Sequence, residues 1–307
     1  MKGLFSSTLL IAGLLGLLPT AYCVKYKNII AFGDGFSDFG NYFENNGRQD
    51  PDPKFYFKGR TSNGPLWIEY LTKALGSPKL KSFAYHLATC NGKGNYINKA
   101  PGANSQVNVL FKKYYEENKE RLDKEKNDSL LCYTFTGSEY FLDDIGAEEV
   151  VKELETHLKE ALRLYPVKDV LIPISTNVDS LEVTKEYSSL KTITPSIFKS
   201  DFKESWTFAI ENLKDEFPDI NFIEYDYDLF WNRLSSTPAE DGNGKLFITD
   251  KPCLTTDSDG HKTKCDDPSK FALYDPFYPT TEVHKLIAKD VLKYLKAGTN
   301  PYANMYY

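Results

Sequence analysis

Cysteine is scarce in this chain, with five among 307 residues and no C-x-x-C pair. That excludes a disulfide-framework miniprotein and the usual structural zinc site, so no metal is expected. Basic charge is not in excess either: 43 Asp and Glu face 37 Lys and Arg, for a net charge of -6 without a basic block. Nucleic acid and anionic lipid surfaces are therefore not expected partners. No apolar run reaches the roughly twenty residues that span a bilayer. Internal repeats, low-complexity tracts and Pro, Gly or Ser-rich linkers are absent as well. With 41% hydrophobic and 26% charged residues, the chain has enough apolar content for a globular core. Nothing in it calls for a cofactor.

The first residues form a unit of their own. Met1-Lys2 precedes an apolar run from Leu9 to Leu18, then Pro19-Thr20-Ala21-Tyr22-Cys23 and a polar stretch from Val24-Lys25. This pattern predicts a signal peptide over 1-23, with small residues Ala21 and Cys23 at the -3 and -1 positions. The mature domain would then be 24-307, secreted to the extracellular space or the cell wall and without an integral membrane segment. In an oxidising compartment the four remaining cysteines would form two bridges. Four cysteines allow three pairings. The polar loop between Cys253 and Cys265 favours bridging those two, which leaves Cys90 to Cys132 by default. Asn127-Asp128-Ser129 is an N-glycosylation sequon, which places Asn127 on a surface loop.

Short β-rich runs alternate with amphipathic stretches of helical length. Asn28 to Phe32, Leu130 to Phe135, Val170 to Ile174 and Ile220 to Ile223 read as strands. Pro65 to Leu75, Glu148 to Leu164, Phe202 to Phe217 and Val283 to Leu295 read as helices; the second places Val150, Val151, Leu154, Leu158, Ala161 and Leu162 on one stripe. Alternation of this kind predicts an α/β fold in one domain, with a mostly parallel central sheet covered on both faces. Ligands of such sheets bind beyond the carboxyl ends of the strands, which directs attention to the loops that follow them.

The loop after the first strand is Gly33-Asp34-Gly35-Phe36-Ser37-Asp38-Phe39-Gly40-Asn41. With Phe32 it resembles the first block, F-G-D-S-x-x-D-x-G-N, of the GDSL or SGNH hydrolases, a family of esterases and lipases. Gly35 stands at the serine. Gly59-Arg60-Thr61-Ser62-Asn63-Gly64 and Trp67-Ile68-Glu69-Tyr70-Leu71 are similar to the family's G-R-x-S-N-G and W-x-E-Y-L run. Phe83 to Thr89 is similar to its F-A-x-G-G-A-T block, with His86 and Leu87 at the two glycines, and Gln106-Val107 to its Q-V pair. Gly137-Ser138-Glu139-Tyr140 resembles the G-x-N-D block with Glu139 at the asparagine. Asp275 to Thr280 resembles D-x-x-H-P-T with Tyr278 at the histidine. The matched blocks run from Phe32 to His284, and the resemblance implies a three-layer α/β/α sandwich.

It also implies a site. In the family a serine oxygen attacks an ester, a histidine takes its proton, an aspartate orients the histidine, and backbone N-H groups with an asparagine amide hold the oxyanion. Gly35 has no oxygen to offer. A phenol of pKa about 10 at position 278 is no neutral-pH base as an imidazole of pKa about 6.5 is. An ionised Glu139 has the wrong sign for an oxyanion hole. Asp275 is the one surviving member of the triad, and Asp34, Gly35, His86, Leu87, Glu139 and Tyr278 are the expected pocket-lining residues. The expectation is a catalytically inactive pseudoenzyme that keeps a pocket for an acylated carbohydrate or a lipid ester. Two alternatives stand beside it: an active ester hydrolase with rewired chemistry, using Ser37 or His86, and a structural extracellular or cell-wall protein. Tyr225-Asp226-Tyr227, Phe230-Trp231, Tyr302, Tyr306 and Tyr307 are aromatic candidates for a binding platform or for core and tail.

Overall fold

The computed structural model describes residues 26-92, 100-142, 145-176, 193-236 and 247-302. The segment 1-23 and the terminal Tyr306 and Tyr307 lie outside the described residues. Five strands, β1 (Asn28–Gly33), β2 (Lys79–Ser82), β3 (Ser129–Thr134), β4 (Asp169–Pro173) and β5 (Asn221–Tyr225), form one sheet in the order β2-β1-β3-β4-β5. Every neighbouring pair is parallel. The helices are α1 (Asn41–Asn45), α2 (Trp67–Ala74), α3 (Lys112–Glu125), α4 (Glu139–Leu142), α5 (Ala147–Leu164), α6 (Pro195–Glu216), α7 (Tyr227–Ser236) and α8 (Thr281–Ala297).

The period-2 alternation of the strands divides the core into two layers. Ile30, Phe32, Leu131, Tyr133, Val170 and Ile172 face α5, α6 and the π-helical turn Gln106–Phe111. Ile29, Ala31, Leu130, Cys132, Leu171 and Ile223 face α2, α7 and α8. Each fully buried leucine on the α5 stripe, such as Leu154 or Leu158, contributes roughly 2 kcal/mol by leaving water. Helix starts follow local chemistry. Pro195 opens α6 while the Thr194 hydroxyl accepts from the Ile197 N-H, and Glu69 reaches back to the Leu66 N-H at the start of α2. Gly298 ends α8 at φ 70. The arrangement is the α/β/α sandwich with a parallel sheet that the alternation predicts.

One cysteine pairing departs from expectation, and the structure decides between the two readings of the aromatic candidates. Cys253 and Cys265 are bridged as predicted, closing the hairpin of β6 (Leu254–Thr256) and β7 (Lys262–Lys264). Cys90 and Cys132 are not joined; they are buried thiols. The reason is the alternation itself: Cys132 points from β3 into the α2/α7/α8 layer, whereas Cys90 packs in the opposite layer. Pairing by elimination ignored that the sheet stands between them. The aromatic candidates Tyr225, Tyr227, Phe230 and Trp231 are core residues, not a surface platform. Asn127 is exposed in the one-turn helix Lys126–Asp128. Among the described residues, no helix is long and apolar enough to cross a membrane.

Candidate functional site

Chain direction reverses between β1 and β3: from β1 the chain goes out to β2, and β3 lies on the other side. Open parallel sheets carry a crevice at that position, beyond the strand ends. There β1 and β3 run so close that a Cβ on Gly33, which has φ +149, would sit 2.3 Å from the Thr134 carbonyl oxygen. Gln106 clamps the same glycine, accepting from its N-H at 2.9 Å and donating to its carbonyl at 2.8 Å.

Asp34 follows at once and is fully buried. Its Oδ1 accepts from the Phe36 N-H, and its Oδ2 accepts from the Thr136 N-H, the Thr136 hydroxyl and the Ser138 hydroxyl. Burial raises the Asp34 pKa, and those donors oppose the rise. Asp38 caps α1 by accepting from the N-H groups of Gly40, Asn41 and Tyr42, and it also takes the His86 N-H at 2.7 Å. The two aspartates thus tie the loops after β1, β2 and β3 together. Ser37 is fully buried, paired with the Thr134 hydroxyl at 2.7 Å and accepting from the Trp67 indole at 3.1 Å. It is a packing hydroxyl without access to a ligand.

Gly35 faces an occupied space. A Cβ built there would lie 2.5 Å from the Tyr278 hydroxyl and 2.8 Å from His86 Nδ1. Those two side chains touch each other at 3.2 Å. Burial, followed by the carboxylates of Asp34, Asp275, Asp38 and Asp50, raises the Tyr278 phenol well above its ordinary pKa. Burial also lowers the His86 imidazole to about 4. At neutral pH a protonated phenol therefore meets a neutral imidazole, and the hydrogen bond between Tyr278 and Nδ1 runs in the direction the imidazole tautomer sets. Leu87 adopts φ 64, the left-handed region that glycine enters most easily. Glu139 is fully buried at the start of α4, where Oε1 accepts the Cys90 N-H at 2.6 Å.

Asp275 does not orient His86. Its Oδ2 accepts from the Tyr56 hydroxyl at 2.7 Å, and its Oδ1 accepts the Phe277 and Tyr278 N-H groups. Burial pushes its pKa up to about 6 from the ordinary 3.8, against the pull of these donors. A raised folded-state pKa means that folding favours the protonated acid. The stability this contributes is full below about pH 4 and is lost as pH rises through about 6. Asp275→Asn, which cannot ionise, should therefore gain on wild type between pH 4 and pH 7, by an amount on the order of 3 kcal/mol. Urea unfolding of both proteins at the two pH values checks this; an unchanged difference contradicts it.

A cleft with about 40 Å³ of free space opens beside these groups. Tyr278 lines it directly, while Asp34 lies beneath its Thr136 and Ser138, and Gly35 and His86 stand behind Tyr278. Phe36, Phe141, Tyr227 and Phe277 form apolar walls, and Thr176 completes the polar part. Sequence reasoning missed Tyr56, Phe141, Phe277 and Thr176. Ordinary loop and helix positions carried no signal for them. Of the other histidines, His157 pairs with Glu160, His261 is exposed, and His284 is buried against Phe36.

The chain is similar in sequence to the thermolabile hemolysin of Vibrio parahaemolyticus serotype O3:K6 (strain RIMD 2210633). The two are 23% identical over 283 residues, covering 88% of this chain and 64% of that protein. The phosphatidylcholine-sterol acyltransferase of Aeromonas hydrophila is 26% identical over 160 residues, covering 48% of this chain and 44% of its own length. A solved protein described as a GDSL-like lipase, from Parabacteroides merdae ATCC 43184, aligns over 88% of this chain and 96% of its own, at 12% identity and a TM-score of 0.43. The chain's structural neighbours include this GDSL-like lipase and an acetyl-xylooligosaccharide esterase. No family model matches it, and it spans less than two thirds of the length of the curated relatives it matches. The loop after β1 carries the two aspartates that tie the strand ends together.

Proposed function

We propose that this is a secreted GDSL-like protein whose cleft binds a ligand rather than hydrolysing one. The observation that carries this reading is the crowding at Gly35: the Tyr278 hydroxyl and His86 occupy the space that a nucleophilic side chain at this position would need. A glycine offers no attacking oxygen, the tyrosine is held protonated, and the surviving aspartate braces Tyr56 and its own loop. Ser37 offers no replacement, since its oxygen is committed to Thr134 and Trp67. The ligand class is an acylated carbohydrate or a lipid ester. In this reading 1-23 is a cleaved signal peptide, 24-307 a single domain, and Asn127 a glycosylation site.

An alkyl fluorophosphonate, which modifies activated serines, tests this reading. Mass spectrometry of the treated wild type should show no adduct. A stoichiometric adduct on any serine would overturn the proposal and return the chain to the active hydrolases.

A further inference from the structure

We propose that the groove between α5 and α6 docks an amphipathic helix of a partner protein, one whose apolar stripe is flanked by lysines and arginines. The inference stands apart from the ester chemistry, because no residue that lines this groove lines the cleft. Both helices connect consecutive parallel strands and lie side by side in one layer. Each lends a stripe to the groove. Glu148, Val151, Lys152 and Glu155 of α5 stand at i, i+3, i+4 and i+7, and so do Asp201, Glu204, Ser205 and Phe208 of α6. That spacing puts four side chains on one helix face over two turns. The free space between the stripes is about 710 Å³.

The floor of the groove is apolar, made by the buried side chains of Val151 and Ala209. Phe208 stands over it at 66% exposure, the most exposed large hydrophobic side chain among the described residues. The core stripe of α6 runs through Phe202, Trp206, Ala209 and Leu213, and Phe208 falls outside it. The fold therefore gains no core contact from a ring at this position. A single exposed apolar residue on a flat surface would carry no meaning, but one that overhangs an open groove with an apolar floor offers a partner a surface to cover. A third helix fits two neighbours by setting its side-chain ridges into the groove between them.

The rims set the charge of the occupant. Among the described residues, Glu148, Asp201 and Glu204 take part in no ion pair, and Lys152 is the one cation of the lining. Glu155 is already held by Lys159 at 2.8 Å. The lysines that α6 carries on this stretch turn to its other flank, Lys199 to Asp228 at 3.1 Å and Lys203 to Asp226 at 2.8 Å. Carboxylates are thus left on both rims without their helix's own cations. Lysines and arginines beside a partner's apolar stripe would meet them, whereas an acidic helix would be repelled. Exposed pairs of this kind guide approach and orientation, and the burial of Phe208 supplies the affinity.

The test is fluorescence-anisotropy titration with the full chain of a labelled Leu/Lys amphipathic peptide of about 14 residues, long enough to form a helix, and of its Leu/Glu counterpart. Wild type should bind the first and ignore the second. Phe208→Ser should weaken binding by about tenfold and, since the ring is exposed, leave the melting temperature unchanged. The groove variant Glu148→Lys/Asp201→Lys/Glu204→Lys should weaken it by about tenfold as well. Glu116→Lys/Glu117→Lys/Glu120→Lys makes the same change of charge on exposed positions of α3 and should stay within about twofold of wild type. Equal weakening by the two charge variants would show that net charge alone holds the peptide and would overturn the inference. Binding indifferent to Phe208→Ser, or no binding of the Leu/Lys peptide, would overturn it too. Sedimentation equilibrium should give wild type and Phe208→Ser the same mass. A dimer that Phe208→Ser dissolves would assign the groove to a second copy of the chain and contradict the partner helix.

Discussion

Gly35→Ser in the wild-type background is expected to destabilise the protein by about 1–3 kcal/mol, the usual cost of forcing atoms into a packed site. The new Cβ would stand 2.5 Å from the Tyr278 hydroxyl and 2.8 Å from His86 Nδ1, well inside van der Waals contact. One of those side chains must move, and both are held: Tyr278 belongs to the loop pinned by Asp275, and the His86 backbone is pinned by Asp38. Replacing Tyr278 with histidine removes the phenol ring and hydroxyl. In a Tyr278→His background the contact with His86 Nδ1 remains, so the same serine should still cost stability but about 1 kcal/mol less than in wild type, a favourable coupling typical of residues in contact. Urea unfolding of the two single variants and the double variant measures it. Equal cost in both backgrounds would show that position 35 is not crowded by Tyr278.

The second large effect concerns Asp34. Asp34→Ala should lower stability by about 3 kcal/mol or more, since it strands two backbone N-H groups, each costing roughly 1–3 kcal/mol when buried without a partner. Those groups belong to Phe36 and Thr136, on the loops after β1 and β3. Relief of the buried charge offsets part of the loss. The variant should also release the Thr136 and Ser138 hydroxyl protons toward the cleft. Equilibrium unfolding gives the first quantity, and a loss below about 1 kcal/mol would contradict the role assigned to this carboxylate.

These effects lie at the part of the molecule that the sequence made most legible. Strongly apolar, buried strands such as β1 and β3 were readable because their runs are uniform, and α5 was readable because its stripe repeats at helical spacing. β2 was not, because Lys79-Leu80-Lys81-Ser82 is a short edge strand whose alternating lysines resemble a polar loop. The helical stretch from Gln106 to Glu125 was missed for a similar reason. It opens in a π turn, and α3 buries only Tyr115 and Leu122, too few for an apolar period. At the site, motif resemblance implied a pocket lined by Asp34, Gly35, His86, Leu87, Glu139 and Tyr278; in the structure Gly35, His86 and Tyr278 lie in contact, and of the six only Tyr278 lines the cleft. It gave no warning that Tyr56, 219 residues from Asp275 in sequence, would take that carboxylate. A contact of that separation leaves no trace in local pattern. The pairing of Cys90 with Cys132 failed because parity counts cysteines without knowing which sheet face each one occupies.

The central claim is that the cleft binds without hydrolysing, and turnover of a short-chain aryl ester tests it most directly. Wild type is compared with the folded Gly35→Ser/Leu87→Gly/Glu139→Asn/Tyr278→His variant. Absence of a nucleophile or its base costs a serine hydrolase about a million-fold, so even a crude restoration should exceed wild type by about a hundred-fold. The account predicts wild-type rates at the level of buffer and measurable turnover in the variant. Wild-type turnover equal to or greater than that of the folded variant would contradict it.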